Sequence, residues 1–140
     1  TDILGSMEFA CKVAGSKLIV VLGHTKCGAV KGACDHIEMG NLTELLSKLQ
    51  PAVYQEKTTK ADRTSSNSTF VENVSKINVK RSVKSIIERS FILETMVKNG
   101  SIGIVGAMHN IDTGKVTFYN DVMFIRDEKN PKFSVADLRY

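Results

Sequence analysis

The sequence of 140 residues lacks features that would assign it to several classes of protein. It has no apolar run of about 18 residues, so we expect no membrane span. Residues 1–6 show no basic segment followed by an apolar core, so no signal peptide is recognised there. Aromatic residues make up only 6% of the chain, which argues against a surface that stacks nucleic-acid bases. The net charge of +4 comes from basic residues mixed with acids, and it predicts a solvated surface rather than a nucleic-acid partner.

Cysteines are few and odd in number, at positions 11, 27 and 34. An odd count in a chain of ordinary hydrophobic content argues against a disulfide scaffold and for a reducing, cytoplasmic location. The length suits one domain, which we place at residues 1–140.

Runs of β-branched residues alternate with helical patterns along the chain. The patterns predict strands at 17–23, 102–108 and 115–122. They predict helices at 7–14, 28–39, 42–49 and 70–98, the first three stopped by Gly15, Gly40 and Pro51. Residues 55–68 are predicted to be an exposed loop or the frayed start of the next helix, and residues 126–140 a C-terminal tail or arm. The first two strands read as buried on both faces, and Asp112-Thr113-Gly114 predicts a hairpin turn before the third.

This alternation predicts an α/β fold with a mainly parallel central sheet flanked by helices and a C-terminal antiparallel hairpin strand. Three strands make a small sheet for so much helix. We therefore expect that one central strand is missing from this chain, and that the domain is N-terminally incomplete.

The segment Gly23-His24-Thr25-Lys26-Cys27-Gly28 follows the first strand, at the sheet edge where α/β proteins bind ligands. Imidazole nitrogen and thiolate sulfur are preferred zinc ligands. A spacing of three would place His24 and Cys27 on one face of a helix start. The segment therefore predicts a metal site with His24 and Cys27 as two of its ligands.

Other interpretations of these residues have less support. Gly23 and Gly28 have the spacing of a phosphate-binding loop, but Ala29 and Val30 stand where Lys and Ser or Thr would be required. Cys11 and Cys34 are interpreted as buried small hydrophobic residues rather than ligands. His36 and His109 are interpreted as surface or core histidines.

The same segment resembles the second signature of the β-class carbonic anhydrases. Glu8-Phe9-Ala10, Ile19-Val20-Val21 and residues 23–28 follow that signature in order and spacing, whereas Cys11 and Ala14 stand where aliphatic residues are usual. Downstream, Val71-Glu72-Asn73-Val74 and the Asp112-Thr113-Gly114 turn are also similar, so the resemblance covers roughly residues 3–124.

The resemblance implies a lyase that uses Zn²⁺ for the reversible hydration of carbon dioxide to bicarbonate and a proton. It implies that His24 and Cys27 are the second and third zinc ligands, that the Gly28 amide faces the substrate, and that the protein is a homodimer or tetramer. The family's first ligand lies in a Cys-x-Asp-x-Arg motif that nothing in this sequence matches. The catalytic Asp-Arg pair is therefore unassigned, and we expect the 140 residues alone to be inactive.

Two further hypotheses remain. One is a catalytically silent module of the same fold with an incomplete zinc site. The other is a thiol-reactive protein that pairs Cys27 with Cys34.

Overall fold

The structure is a computed structural model that describes residues 1–126; the predicted tail at 126–140 lies, apart from Arg126, outside the described residues. Its elements in chain order are α1 Asp2–Glu8, a π-helical segment Phe9–Val13, β1 Leu18–His24, α2 Gly28–Cys34, α3 Gly40–Ser47, α4 Gln50–Gln55, α5 Ser68–Arg89, α6 Phe91–Lys98, β2 Gly103–His109 and β3 Val116–Phe124. No helix among these is long and apolar enough to cross a membrane.

The three strands form one mixed sheet in the order β1-β2-β3. The Gly103 amide donates to the Lys17 carbonyl where β1 and β2 begin, and the Thr25 amide donates to the His109 carbonyl where both end, so these strands are parallel. A tight turn then returns the chain as β3, closed by a 2.8 Å bond from the Asn110 amide to the Lys115 carbonyl. The α/β prediction with an antiparallel hairpin strand is confirmed.

The two parallel strands, β1 and β2, differ in how deeply their side chains are buried. As predicted, β2 is buried on both faces over most of its length. The same prediction for β1 is wrong, because the side chains of Leu18, Val20 and Leu22 alternate outward and are 48%, 42% and 51% exposed. In the described part of the chain β1 is an edge strand with an uncovered aliphatic face.

The chain divides into two compact units, each with its own core. Among the described residues, the first comprises Thr1–Leu22, Ser82–Ala107 and residues 118–126. Its core contains Cys11, Ile19, Val83, Ile87, Leu93, Val97, Ile102, Ile104 and Val122.

The second unit comprises Gly23–Arg81 and Met108–Thr117, and it contains both predicted metal ligands. Its core contains Val30, Ala33, Cys34, Leu46, Ala52, Val53, Phe70, Val71 and Val74. Residues from α2, α3, α4 and α5 thus pack together, and the partly buried Cys27 packs against them.

Several predicted helix boundaries are wrong. The single helix at 70–98 is in fact α5 and α6, separated at Ser90, which is 1% exposed and caps α6 by accepting a hydrogen bond from the Leu93 amide. The helix at 28–39 ends at Cys34. Gly40 begins α3 instead of closing the preceding helix, with φ of +46°. The predicted stop at Pro51 instead lies in the first turn of α4, where a backbone N–H would have no partner within the helix, so proline loses no hydrogen bond there.

At the N-terminus, helical structure begins at Asp2 rather than residue 7, and its second half is π-helical. The predicted stop at Gly15 is confirmed by its left-handed φ of +83°. The segment at 55–68, predicted as an exposed loop or the frayed start of the next helix, contains the buried Glu56.

Candidate metal centre

The two predicted ligands lie on either side of a short turn. His24 is the last residue of β1, and Cys27 is the N-cap residue of α2. Thr25 and Lys26 form the turn between them, and Lys26 has a left-handed φ of +55°. The spacing argument assumed that the two donors share one face of a helix, but they do not, because His24 belongs to a strand. Their relative placement depends instead on the conformation of Thr25 and Lys26.

The ring of His24 is exposed, and its Nδ1 lies 2.9 Å from the carbonyl oxygen of Thr25. A carbonyl oxygen only accepts hydrogen bonds, so Nδ1 carries the proton in this contact. In the neutral ring the lone pair is then on Nε2, which is the tautomer required of a histidine that binds a metal through Nε2.

The thiols differ in accessibility. Cys27 is partly exposed, whereas Cys11 and Cys34 are 4% and 1% exposed, and all three are free. Burial raises the pKa of the Cys11 thiol. Burial and the neighbouring Asp35 carboxylate raise the pKa of Cys34 to about 11. The interpretation of Cys11 and Cys34 as buried small residues is confirmed, and Cys27 is the most accessible sulfur donor of the three.

The glycines flanking the segment have different surroundings. A Cβ built on Gly28 would meet no atom within 4 Å, so there is open space beside the first residue of α2. A Cβ on Gly23 would lie 2.8 Å from Cγ2 of Val79 and 3.0 Å from Cε of Met108. A side chain at position 23, immediately before His24, would therefore require Val79 or Met108 to shift.

A third metal ligand is not found within residues 1–126, where no group of three or more His, Cys, Asp or Glu side chains is placed to hold one ion. His36 is exposed, and its ring stacks on Tyr54 with 6.3 Å between centroids. His109 is partly buried, and its carbonyl oxygen accepts the hydrogen bond of the Thr25 amide.

The turn between β2 and β3 contacts the segment between the two donors, which was not predicted. The Ile111 amide donates to Oγ1 of Thr25 at 3.1 Å, and Nζ of Lys26 lies 2.7 Å from Oδ2 of Asp112. A cavity of about 200 Å³ beside these contacts is lined by Lys26, Lys31, Glu72, Asp112 and several hydroxyl groups. The sequence signal was limited to a turn at 112–114; nothing in it paired that turn with Lys26.

Comparison with known proteins is consistent with this architecture. A family model described as carbonic anhydrase matches residues 1–116. Carbonic anhydrase 2 of Mycobacterium tuberculosis is 29% identical over 131 residues, which cover 90% of this chain and 60% of that protein.

Two solved structures are also similar. The β-carbonic anhydrase CafA of Aspergillus fumigatus has a TM-score of 0.71 at 25% identity, covering 89% of this chain and 57% of that one. A tetrameric β-carbonic anhydrase of Sordaria macrospora has a TM-score of 0.72 at 21% identity, covering 85% and 60%. The chain spans about three-fifths of the length of these three relatives. Because the family model matches most of the chain and the fold agrees, this chain belongs to the β class of the carbonic anhydrase family.

Proposed function

We propose that this chain supplies part of a zinc centre for the reversible hydration of carbon dioxide to bicarbonate and a proton. The observation that carries the proposal is the hydrogen bond from Nδ1–H of His24 to the Thr25 carbonyl. His24 lies three residues before Cys27, whose thiol is accessible. Membership of the carbonic anhydrase family supports the reaction.

The residues fit zinc as a partial donor set. His24 would bind through Nε2 and Cys27 through Sγ, which are both preferred zinc donors. A bound zinc ion supplies Lewis acidity, which makes water a usable nucleophile near neutral pH. The chain's own contribution is to hold the imidazole in one tautomer and to leave space for a small substrate beside Gly28, the proposed substrate-binding residue.

Two donors do not hold zinc firmly, so the proposal requires a third from outside the described residues. β1 ends at His24 and is an edge strand among the described residues, so a further strand paired with it in parallel would end beside the same site. We propose that such a strand, from the remainder of the protein, brings the missing ligand. The working unit would be a homodimer or tetramer, by analogy with the similar Sordaria macrospora protein, which is tetrameric.

Metal analysis of the full natural protein tests this function. We expect about one zinc per subunit, and loss of at least 10-fold in zinc affinity in Cys27→Ser and His24→Ala. His36→Ala is the matched control, since His36 is an exposed histidine of the same unit. Zinc binding that survives both ligand substitutions would contradict the proposal.

Hydration of carbon dioxide by the isolated 140 residues is a second test. The partial donor set predicts little or no activity above the uncatalysed rate, measured by stopped-flow with a pH indicator. Activity equal to that of the full protein would show that all the ligands are present in this chain.

A catalytically silent module of the same fold is the alternative. The lack of a three-donor group within residues 1–126 favours it. A folded, metal-free and inactive full protein would support it. The hypothesis of a Cys27–Cys34 thiol switch has less support, because Cys34 is buried and its pKa is raised to about 11, which disfavours the reactive thiolate.

A further inference from the structure

We propose that the turn between β2 and β3 is a positioning element for the metal ligands, acting through Thr25 and Lys26. The inference rests on the proposed function of His24 and Cys27 as ligands. We call the contacts of Thr25 and Lys26 with His109, Ile111 and Asp112 the turn clamp.

The clamp restrains both residues that separate the two donors. The Thr25 amide donates to the His109 carbonyl at 2.9 Å, and Oγ1 of Thr25 accepts from the Ile111 amide at 3.1 Å. Lys26 extends to Asp112 at 2.7 Å. Each residue between the ligands is therefore tied to the same turn.

The segment needs such a restraint because of its backbone conformation. Lys26 has φ of +55°, in the left-handed region that residues with a side chain rarely adopt. A free segment would relax towards more favourable backbone angles, and the separation between His24 and Cys27 would change with it. Metal ligation tolerates only small errors in donor position, about 0.2 Å in bond length.

The turn is itself well fixed, so it can act as an anchor. Oδ1 of Asn110 accepts hydrogen bonds from the amides of Asp112 and Thr113, at 3.0 and 3.2 Å. The Gly114 amide donates to the Asn110 carbonyl at 2.8 Å, and Gly114 has a left-handed φ of +76°. The Asp112 carboxylate therefore projects from a closed hydrogen-bonded turn.

A positioning role can be distinguished from a contribution to folding. The side chains of Lys26 and Asp112 are 58% and 59% exposed, and an ion pair this exposed adds little to stability. Its removal should leave the unfolding temperature nearly unchanged while it weakens metal binding. Residues that orient metal ligands typically change affinity by about 10- to 100-fold.

The test uses the full natural protein and the variants Asp112→Asn and Lys26→Gln. Zinc affinity is measured by competition with a chromophoric chelator, and ligand geometry by the absorption spectrum of the cobalt(II) form. We expect each variant to lose about 10-fold in zinc affinity and to alter the cobalt spectrum, with Tm within about 3 °C of the parent.

Two further variants control the test. Glu88→Gln removes the carboxylate of another exposed ion pair, Lys84–Glu88, and should change neither readout. The charge-exchanged double variant Lys26→Asp/Asp112→Lys re-forms the pair and should recover most of the lost affinity. Parental zinc affinity in Asp112→Asn, or no recovery in the double variant, would overturn the proposal.

A measurement without metal distinguishes failure of the turn clamp from failure of the proposed function. Hydrogen exchange at the Thr25 and Ile111 amides should accelerate in Asp112→Asn even without metal, because both amides belong to the clamp. If the parent binds no zinc, the proposed function fails, and amide exchange still decides whether the clamp orders the segment. Unchanged exchange at both amides would reject the clamp.

Discussion

Gly23 has no side chain, and this allows the backbone just before His24 to pack closely against Val79 and Met108. A Cβ at this position would overlap Cγ2 of Val79, a short branched side chain that is 4% exposed. The nearby Met108 contact involves the flexible end of its side chain and is easier to relieve. The conflict with Val79 therefore decides the outcome of a substitution at Gly23.

We predict that Gly23→Ala destabilises the protein by about 1–3 kcal/mol, as overpacking does, measured by urea unfolding. Val79→Ala would make room for the added methyl group, so the double variant should lose about 1 kcal/mol less than the sum of the single losses. Gly5→Ala is the control, because a Cβ on Gly5, within α1, meets nothing within 4 Å. Simple additivity of the two substitutions would contradict the steric explanation.

Glu56 organises the segment that links α4 to α5. It is 2% exposed, and it accepts hydrogen bonds from the hydroxyl of Thr58, from the amides of Thr58 and Thr59, and from Nη1 of Arg63 at 2.9 Å. Arg63 also donates to the Val53 carbonyl and lies 4.6 Å from the centre of the Phe70 ring. Burial by itself raises the pKa of Glu56, but these hydrogen bonds outweigh it and lower the pKa from 4.5 to about 2.

Stability should therefore depend on pH through Glu56. Its pKa is lower in the folded chain than in the unfolded one, so its stabilising contribution is complete above about pH 5. That contribution is lost as the pH falls from about 4.5 to about 2. The shift corresponds to about 3 kcal/mol. Urea unfolding at several pH values should show this fall for the parent.

Two variants test this dependence. Glu56→Gln should be less stable at pH 7 and should flatten the fall between pH 5 and 2. Glu44→Gln, which removes an exposed carboxylate of α3, should keep the parental profile. An equally steep fall in Glu56→Gln would assign the acid sensitivity to other groups.

Sequence patterns were sufficient to locate some secondary-structure elements and not others. The strands at 17–23 and 102–108 were located to within one residue, because runs of β-branched residues bounded by glycine are a strong local signal. The break at Ser90 was missed, because residues 70–98 keep helical spacing on both sides and the cap is evident only from the hydrogen bond to Leu93. Burial of Glu56 was missed, because its Arg63 partner lies seven positions away in a stretch of polar composition.

For the chain as a whole, the uncovered face of β1 affects how the protein associates in solution. Leu18, Val20 and Leu22 form an apolar row on an edge strand of the described sheet. Edge strands with exposed apolar side chains are prone to pair with other chains. We expect the isolated 140 residues to self-associate through this strand.

We predict that Val20→Lys lowers the self-association of this chain, measured by sedimentation velocity over a range of concentrations, because a charge on an edge strand opposes pairing. Val13→Lys places the same charge at another exposed valine of the same unit, which is 70% exposed and lies outside the sheet. An equal reduction by both substitutions would indicate a general effect of charge and contradict association through β1.

Local sequence was enough to establish the α/β class and the order of the strands along the chain, and to predict His24 and Cys27 as metal donors, because periodicity and donor chemistry are properties of neighbouring residues. It was not enough to show that β1 is an edge strand of the described sheet, that Thr25 and Lys26 are held by the turn at 110–114, or that Val79 and Met108 lie close to the backbone of Gly23. Those features arise from contacts between residues as many as 86 positions apart. Such contacts form only when the folded backbone brings distant segments together, so no local pattern records them.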